Sequence, residues 1–391
     1  MQLKQAAIFS FADTGGNSAD ALPGWDLPEH GIRWPQGRSS RLSLPLLPVP
    51  GDAVLLLEVV PALALPLLTQ QTLRIRVNGV TQRLVFLTRP TALSIPVPAA
   101  LAAMRPALEL DFDHPDVIRP HLISISRETR GRSVGFRSLA VLEAQLRPTL
   151  PPAQADAPLL PQPEMLSDEA LAAYFLSLGD NCEFGLAQRL AGAEPMDLLR
   201  FTGIELPGLA RGLAEGFAQV CNPGAVDLEL YPFTPRSEYV VASRTYNFHA
   251  HTGQFEGDME VPRLYIREMK KLVLMQRLLA ADLASGHRIL IFKNNDITEQ
   301  SDISPILRGI SAHGPAVLLH VVCDKTGNRV GQVEQVGPAY LRGYIDRFNA
   351  YDNAEMPASP AWSEICRNAY ALWRAARLSK DVEAASRAGV A

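Results

Sequence analysis

Residues Phe175–Phe201 read FLSLGDNCEFGLAQRLAGAEPMDLLRF, and this stretch decides the fold of the second half of the chain. Phe175-Leu-Ser-Leu is a short apolar run that ends at Gly179, which reads as a strand entering a turn. Glu183–Leu190 then repeats apolar positions at helical spacing. A strand, a tight Gly-Asp-Asn turn and a helix in this order belong to an α/β or α+β domain. Cys182 falls at or just inside the helix start, where unpaired N–H groups and the positive end of the helix dipole favour a thiolate. Asp180 or Asn181 is placed to cap the same helix through a side-chain oxygen. A half-buried packing cysteine is the competing reading.

Outward from this segment the same texture continues. Ser167-Asp-Glu-Ala is a helix N-terminus signature. Arg263–Leu283 is a long amphipathic helix. His287–Phe292 and Ala316–Val322 are compact strands followed by polar residues, and Pro338–Phe348 and Trp362–Arg377 are expected to close the chain as helices. Towards the N-terminus the texture changes to short alternating runs separated by turn residues. Thr72-Leu-Arg-Ile-Arg-Val alternates with period two and Asn78-Gly79 supplies a tight hairpin. Runs at Ile32–Trp34, Arg41–Leu44, Val54–Val60, Arg83–Leu87, Ala92–Pro96, Leu108–Phe112, His121–Ser126 and Val134–Val141 complete an antiparallel β-sandwich of jelly-roll type. Only Pro98–Met104 reads as a helical turn. Between the halves lies RPTLPPAQADAPLLPQP, Arg147–Pro163, six prolines that exclude helix and favour extended polyproline. The expected organisation is a β module over 1–146, a linker over 147–166, an α/β domain over 167–377 and a tail over 378–391.

Composition narrows the function classes. The chain has 391 residues, 47% hydrophobic and 20% charged, which excludes wholesale disorder. A net charge of −4 argues against a dedicated nucleic-acid binder, whose phosphate contacts demand a basic excess. No run approaches the roughly 18 apolar residues of a transmembrane helix. Met1–Ser10 lacks the apolar core of a secretory signal. The four cysteines Cys182, Cys221, Cys323 and Cys366 show no CxxC spacing, so no zinc knuckle or disulfide framework is expected. A reduced, cytoplasmic protein without a cofactor is the expectation.

Partners for Cys182 lie downstream. His249 and His251 in Tyr246-Asn-Phe-His-Ala-His-Thr-Gly are two apart, so an extended backbone turns both to one face. One of them can serve as base to the thiol; the H-x-H pair also suits zinc, but a third ligand is not evident. Asn294 and Asp296 after one strand, and Asp324 after another, are candidates to orient the imidazole, with capping and turn formation as their plain roles. Cys323 and Cys366 read as packing residues.

Leu176-Ser-Leu-Gly-Asp-Asn-Cys182, with Gln188-Arg189, Gly192-Ala-Glu-Pro195 and Leu198-Leu-Arg-Phe201, resembles an uncharacterised bacterial family labelled papain-like cysteine peptidase. His251-Thr252, Ile289–Lys293, Trp362 and Cys366-Arg367 extend the resemblance over about Leu171–Trp373. It implies Cys182 as nucleophile and His251 as base, with His249 second. Pro195-Met-Asp-Leu198 departs from the Pro-Phe-Asp-Trp of many relatives. Papain's oxyanion-binding Gln has no counterpart here, which leaves that task to the Cys182 N–H and Asn181. In the first half, Gly24-Trp-Asp-Leu-Pro-Glu-His-Gly-Ile-Arg-Trp-Pro-Gln-Gly resembles the opening of β-sandwich modules joined to bacterial surface-polysaccharide enzymes. That resemblance implies Trp25 and Trp34 as sugar-stacking residues, with core packing as the alternative. The leading expectation is thiol-dependent hydrolysis or acyl transfer on a peptide, acyl or glycan substrate. Its rivals are a non-catalytic glycan- or partner-binding protein of surface-polysaccharide assembly, and a carbohydrate-active transferase or esterase that works through carboxylates such as Asp180.

Overall fold

The alternation in Thr72–Val77 does produce a strand, and Asn78 and Gly79 take the positive φ values, 49° and 85°, that a tight hairpin needs. A computed structural model describes residues 2–11, 23–45, 51–123, 127–145, 160–351 and 356–388. The elements up to residue 145 are β1 (Gln2–Ser10), β2 (Ser39–Pro45), β3 (Ala53–Pro61), β4 (Gln71–Val77), β5 (Val80–Leu87), β6 (Thr91–Val97), α1 (Ala99–Ala102), β7 (Ala107–Asp113), α2 (Pro120–Ile123) and β8 (Val134–Gln145). Then come α3 (Asp168–Ala172), β9 (Phe175–Ser177), α4 (Glu183–Leu190), β10 (Thr202–Ile204), α5 (Leu206–Ala214), β11 (Val226–Tyr231), β12 (Glu238–Ser243) and β13 (Phe248–Phe255). The chain continues through α6 (Val261–Ser285), β14 (Ile289–Phe292), α7 (Ser304–Ser311), β15 (Val317–Cys323), β16 (Val333–Gly337), β17 (Tyr340–Ile345) and α8 (Ala361–Ala388).

The protein is a mixed α/β chain of two units. The first gathers Met1–Thr149 with Cys221–Arg244 and His251–Lys271; the second comprises Leu150–Val220, Thr245–Ala250 and Leu272–Ala391. The division is therefore not a single cut through the expected linker at 147–166. The expected β module ends at 146, whereas the β11–β12 hairpin returns to it from later in the chain. β11 pairs antiparallel with β6, Leu228 opposite Ala92, and the alternating Asp-Leu-Glu-Leu of β11 went unread in the sequence.

In the first unit, β1-β8-β3-β6-β11-β12 run side by side, and a second sheet has the order β2-β7-β4-β5. Leu55, Leu57, Leu93, Ile95 and Phe136 from the larger sheet share one core with Leu42, Leu73, Ile75, Leu110 and Phe112 from the smaller. Burying one face of each sheet supplies the hydrophobic stabilisation of this unit.

In the second unit the sheet order is β16-β17-β15-β14-β9, with β9, β14, β15 and β17 parallel. Parallel strands are buried on both faces, which explains the uninterrupted apolar run Ile289–Phe292. α8 covers one face with Trp362, Ile365, Cys366, Ala369, Tyr370 and Trp373, a stripe at three- and four-residue spacing. α8 also receives the end of the proline-rich segment. Arg374 Nε donates to the Leu160 carbonyl (3.0 Å), the Tyr370 hydroxyl to that of Pro161 (3.1 Å) and Arg367 to that of Pro163 (2.8 Å). Residues 147–159 of the expected linker lie outside the described residues.

Three expected elements differ in the structure. Pro338–Phe348 holds strand β17, not a helix; Tyr-Leu-Arg-Gly-Tyr-Ile pairs with both β15 and β16. Its Gly343 lies where a Cβ would come within 2.9 Å of Ile365 on α8. His121–Ser126 does not begin as a strand: Pro120 opens the short helix α2, a residue whose fixed φ and missing N–H suit a first helical position. Ile32–Trp34 forms isolated bridges and no strand, Ile32 opposite Glu29 and Arg33 opposite Phe136. Among the described residues no helix is long and apolar enough to cross a membrane.

Candidate functional site

The parallel strands of the second unit end at one edge, and three of the turns there build a single polar network. After β9, Gly179 and Asp180 both take left-handed backbone, φ 89° and 85°. Glycine is required at the first position, where a Cβ would sit 2.6 Å from the Ile204 side chain. Aspartate tolerates the second better than most residues, and three neighbours hold its carboxylate, Oδ1 by hydrogen bonds and Oδ2 by an ion pair alone. Lys293 Nζ lies 3.1 Å from Oδ2; Asn294 Nδ2 and the Tyr351 hydroxyl donate to Oδ1 at 2.8 and 2.9 Å.

Cys182 follows as the N-cap residue of α4, already in helical conformation, half-buried, and not capping with its side chain. The cap comes from Asn181, whose Oδ1 accepts from the Glu183 N–H at 2.9 Å. Of the two residues proposed for that task, Asn181 performs it and Asp180 does not. The Asn181 Nδ2 is buried without a hydrogen-bond partner, a costly state for a donor.

Glu183 is fully buried. Its Oε2 accepts from Lys293 Nζ at 3.0 Å and from the Asn349 N–H at 3.1 Å, and its Oε1 accepts from the Trp362 indole at 3.2 Å. Lys293 is 1% exposed, with further contacts to Asn295 Oδ1 at 3.2 Å and to the face of Phe348. One buried ammonium therefore serves two buried carboxylates, one on either side of Cys182. Burial pushes the Asp180 carboxyl above its ordinary range, and the Asp296 charge adds to this, while Lys293 and the Tyr351 hydroxyl pull it back. The Tyr351 hydroxyl is pushed up by burial and by the Asp180 carboxylate.

The remaining candidates take other places. Asn294 is committed to Asp180 and, through its Oδ1, to the N–H of Asp296, which is itself exposed. Asp324 accepts from the Thr326 hydroxyl and N–H and from the Arg329 N–H, which shapes its own turn and holds its carboxyl low. His249, in the second unit, sits on β13 opposite Gly203 of β10. A Cβ on Gly203 would lie 3.7 Å from the Asp180 carbonyl, so His249 is one strand removed from the turn that carries Cys182. His251 belongs to the first unit, where its Nδ1 lies 3.0 Å from Glu238 Oε2. Burial works against ionisation of Glu238, yet hydrogen bonds from His251 and the Gly253 N–H hold its carboxyl below the ordinary range. The position beside the His251 imidazole is held by Glu238.

Cys366 is buried and its thiol is pushed up by desolvation. Cys323 is exposed and donates to the Asp346 carbonyl. Trp25 is a core residue packed on Phe11 and Phe136, its indole donating to the Arg41 carbonyl, so the sugar-stacking role does not fit it. Trp34 is half-buried beneath the Arg132 guanidinium, 5.1 Å from its ring.

Sequence reasoning passed over Lys293, Glu183, Tyr351, Asn349 and Trp362 as one constellation. A lysine directly after Ile-Leu-Ile-Phe was the available signal, because a charge that ends a doubly buried strand needs counter-charges at the same edge.

No family model matches the chain, and no curated protein matches it. Among solved structures, a family GH115 4-O-methyl-α-glucuronidase, BtGH115A, aligns at 8% identity and a TM-score of 0.21, over 29% of this chain and 14% of its own. A ruminal GH26 endo-β-1,4-mannanase aligns at 11% identity and 0.21, over 81% and 73%. The salicylyl-acyltransferase SsfX3 of a tetracycline biosynthetic pathway aligns at 11% identity and 0.19, over 95% and 97%. The chain spans about a seventh of the first of these. At such TM-scores none carries a fold or a function across to this protein.

Proposed function

We propose that the carboxyl edge of the parallel strands in the second unit is the active site of a thiol-dependent hydrolase or acyltransferase, with Cys182 as its nucleophile. One observation carries the reading: a single buried lysine fixes the residue two before Cys182 and the residue after it. A buried charge network is a poor way to gain stability, and its position at the carboxyl edge of parallel strands is that of a functional site. What it gains is rigidity in the turn that presents the thiol. In this account His249 takes the thiol proton, and the thiolate attacks an acyl carbonyl. The N–H groups at the start of α4 and the Asn181 carboxamide receive the oxyanion. The imidazolium then protonates the leaving group, and water or an acceptor resolves the thioester. The resemblance to papain-like peptidases supports Cys182 and favours His251 as base; we assign His249 first, from its place one strand from the Asp180 turn. A β-sandwich accessory module for the first unit and bacterial glycan or envelope biology as the setting belong to the same proposal.

A second reading rests on Asp180. Its raised carboxyl, in contact with a half-exposed tyrosine, suits a general acid of carbohydrate-active transfer or ester cleavage. A panel of nitrophenyl acyl esters and peptidyl aminocoumarins, incubated with wild type, Cys182→Ala and Asp180→Asn, separates the two. The thiol mechanism predicts turnover lost in Cys182→Ala and an acyl adduct on the Cys182 peptide of wild type. Turnover retained in Cys182→Ala but lost in Asp180→Asn replaces it with the carboxylate mechanism. No turnover and no adduct leave the non-catalytic binding protein.

A further inference from the structure

The hairpin between β11 and β12, with β13, carries a row of planar groups in the first unit that the chemistry at Cys182 does not use. Arg89 places its guanidinium 3.8 Å from the Tyr231 ring. Tyr231 lies nearly parallel to Phe233, at 17° with centroids 6.2 Å apart. Phe233 meets the imidazole of His251 at 5.6 Å and 39°, and Glu238 holds that imidazole through Nδ1. Phe233 is 43% exposed, in contrast to Phe11, Trp25, Phe112 and Phe136, which are sealed in the core of the same unit.

At 6.2 Å the two near-parallel rings are offset, so they extend one another's surface more than they cover it. The result is an apolar floor backed at one end by a guanidinium. At the other end stands a tilted imidazole whose orientation a carboxylate fixes. An apolar floor with a few fixed polar groups at its margin is the usual make-up of a small-ligand site. The charges indicate the ligand class. Arg89 is 3.6 Å from Glu229 and Arg236 is 2.5 Å from Asp258, so the neighbouring cations already have carboxylate partners, and Glu238 adds a further negative charge beside the floor. A phosphorylated ligand is disfavoured there. A neutral ring with one apolar face and hydroxyls on its rim meets every group in the row.

We propose that the Tyr231–Phe233–His251 row is a binding site for a pyranose ring of a glycan. The floor stacks on the apolar C–H face of the sugar, and the His251–Glu238 pair hydrogen-bonds its hydroxyls. This is a different place from Trp25 and Trp34, and it stands or falls independently of Cys182.

Saturation-transfer NMR on the full chain tests it, with methyl pyranosides of glucose, galactose, mannose and N-acetylglucosamine and with adenosine as a flat, uncharged control. At least one pyranoside is expected to receive saturation at its ring protons. Phe233→Ala should weaken that binding by about two- to tenfold, the worth of one aromatic stacking contact. Phe233→Trp should retain it, and Glu238→Gln should reduce it while leaving the floor in place. Because Glu238→Gln is isosteric and the larger ring of Phe233→Trp replaces an exposed side chain, these two decide the matter even if Phe233→Ala fails to fold. Saturation of adenosine alone, of no pyranoside, or equally in wild type, Phe233→Ala and Glu238→Gln overturns the proposal.

Discussion

Lys293→Met removes one charge and leaves two. The methionine fills most of the lysine stem's apolar volume, so the change isolates the ammonium. In the wild type that ammonium lies 3.1 Å from Asp180 and 3.0 Å from Glu183, and none of the three side chains is more than 5% exposed. Removing one partner of a buried ion pair costs about 3–5 kcal/mol. Here one partner serves two carboxylates, so a loss towards the upper end, about 5 kcal/mol, is expected at neutral pH. The loss should shrink in acid. Asp180 already has a raised carboxyl, and the variant removes the chief group that lowers it. A carboxyl whose folded pKa exceeds its unfolded one weakens the fold as pH rises, and that penalty vanishes below the unfolded value near ~4.

Cys366 offers a reporter confined to the second unit, because it is 5% exposed and packed in that unit's core. Its labelling by a thiol reagent across a urea gradient, read by mass spectrometry of its peptide, gives the unfolding midpoint of that unit. The midpoint of Lys293→Met should fall well below wild type at pH 7 and recover part of the difference at pH 5. An unchanged midpoint, or the same deficit at both pH values, would refute the claim that Lys293 neutralises the two carboxylates.

Further outcomes follow from individual contacts. Asp197 accepts from the Ser177 N–H at 2.6 Å and the Leu199 N–H at 3.1 Å, and burial raises its carboxyl to about 6. Its contribution to stability is full below the unfolded value near ~4 and declines as pH rises through about 6, so Asp197→Asn should flatten that part of the wild-type profile in the Cys366 assay. Gly208→Ala would place a Cβ 2.0 Å from the Tyr246 carbonyl, and the backbone must move; a loss of about 1–3 kcal/mol in the same assay is expected. Trp362→Phe keeps the ring but removes the donor to Glu183, and should cost about 1.5–3 kcal/mol, the range for a hydrogen bond to a charged group.

Local signals in the sequence were legible where one residue type has one physical use. Asn78-Gly79 announced its hairpin, Ser167 caps α3 by accepting from the Ala170 N–H, and Glu183–Leu190 is the helix its periodicity predicts. Illegible were pairings between distant segments. Nothing local in Val226–Tyr231 says that it lies beside β6, and the apolar pairs Tyr340-Leu341 and Tyr344-Ile345, four residues apart, fit a helix pattern until the partners β15 and β16 are known. The site divides in the same way. Cys182 and Asn181 stood out from the strand–turn–helix context. Lys293, Tyr351 and Trp362, which come 110 or more positions after Glu183 in the chain, became partners only through strand order. His251 was legible as a histidine of interest, but its carboxylate, Glu238, was hidden because a sequence does not show which strands lie side by side.

If Cys182 is an activated nucleophile, the pH dependence of iodoacetamide alkylation at each cysteine in the native protein will show it. Cys323 is the internal control, since it is exposed but its thiol is pushed up by desolvation and by the charges of Asp346 and Asp324. The account predicts that Cys182 alkylates about tenfold or more faster than Cys323 at pH 6.5, and that His249→Ala removes most of this advantage. Alkylation of Cys182 no faster than that of Cys323 across the pH range would contradict it.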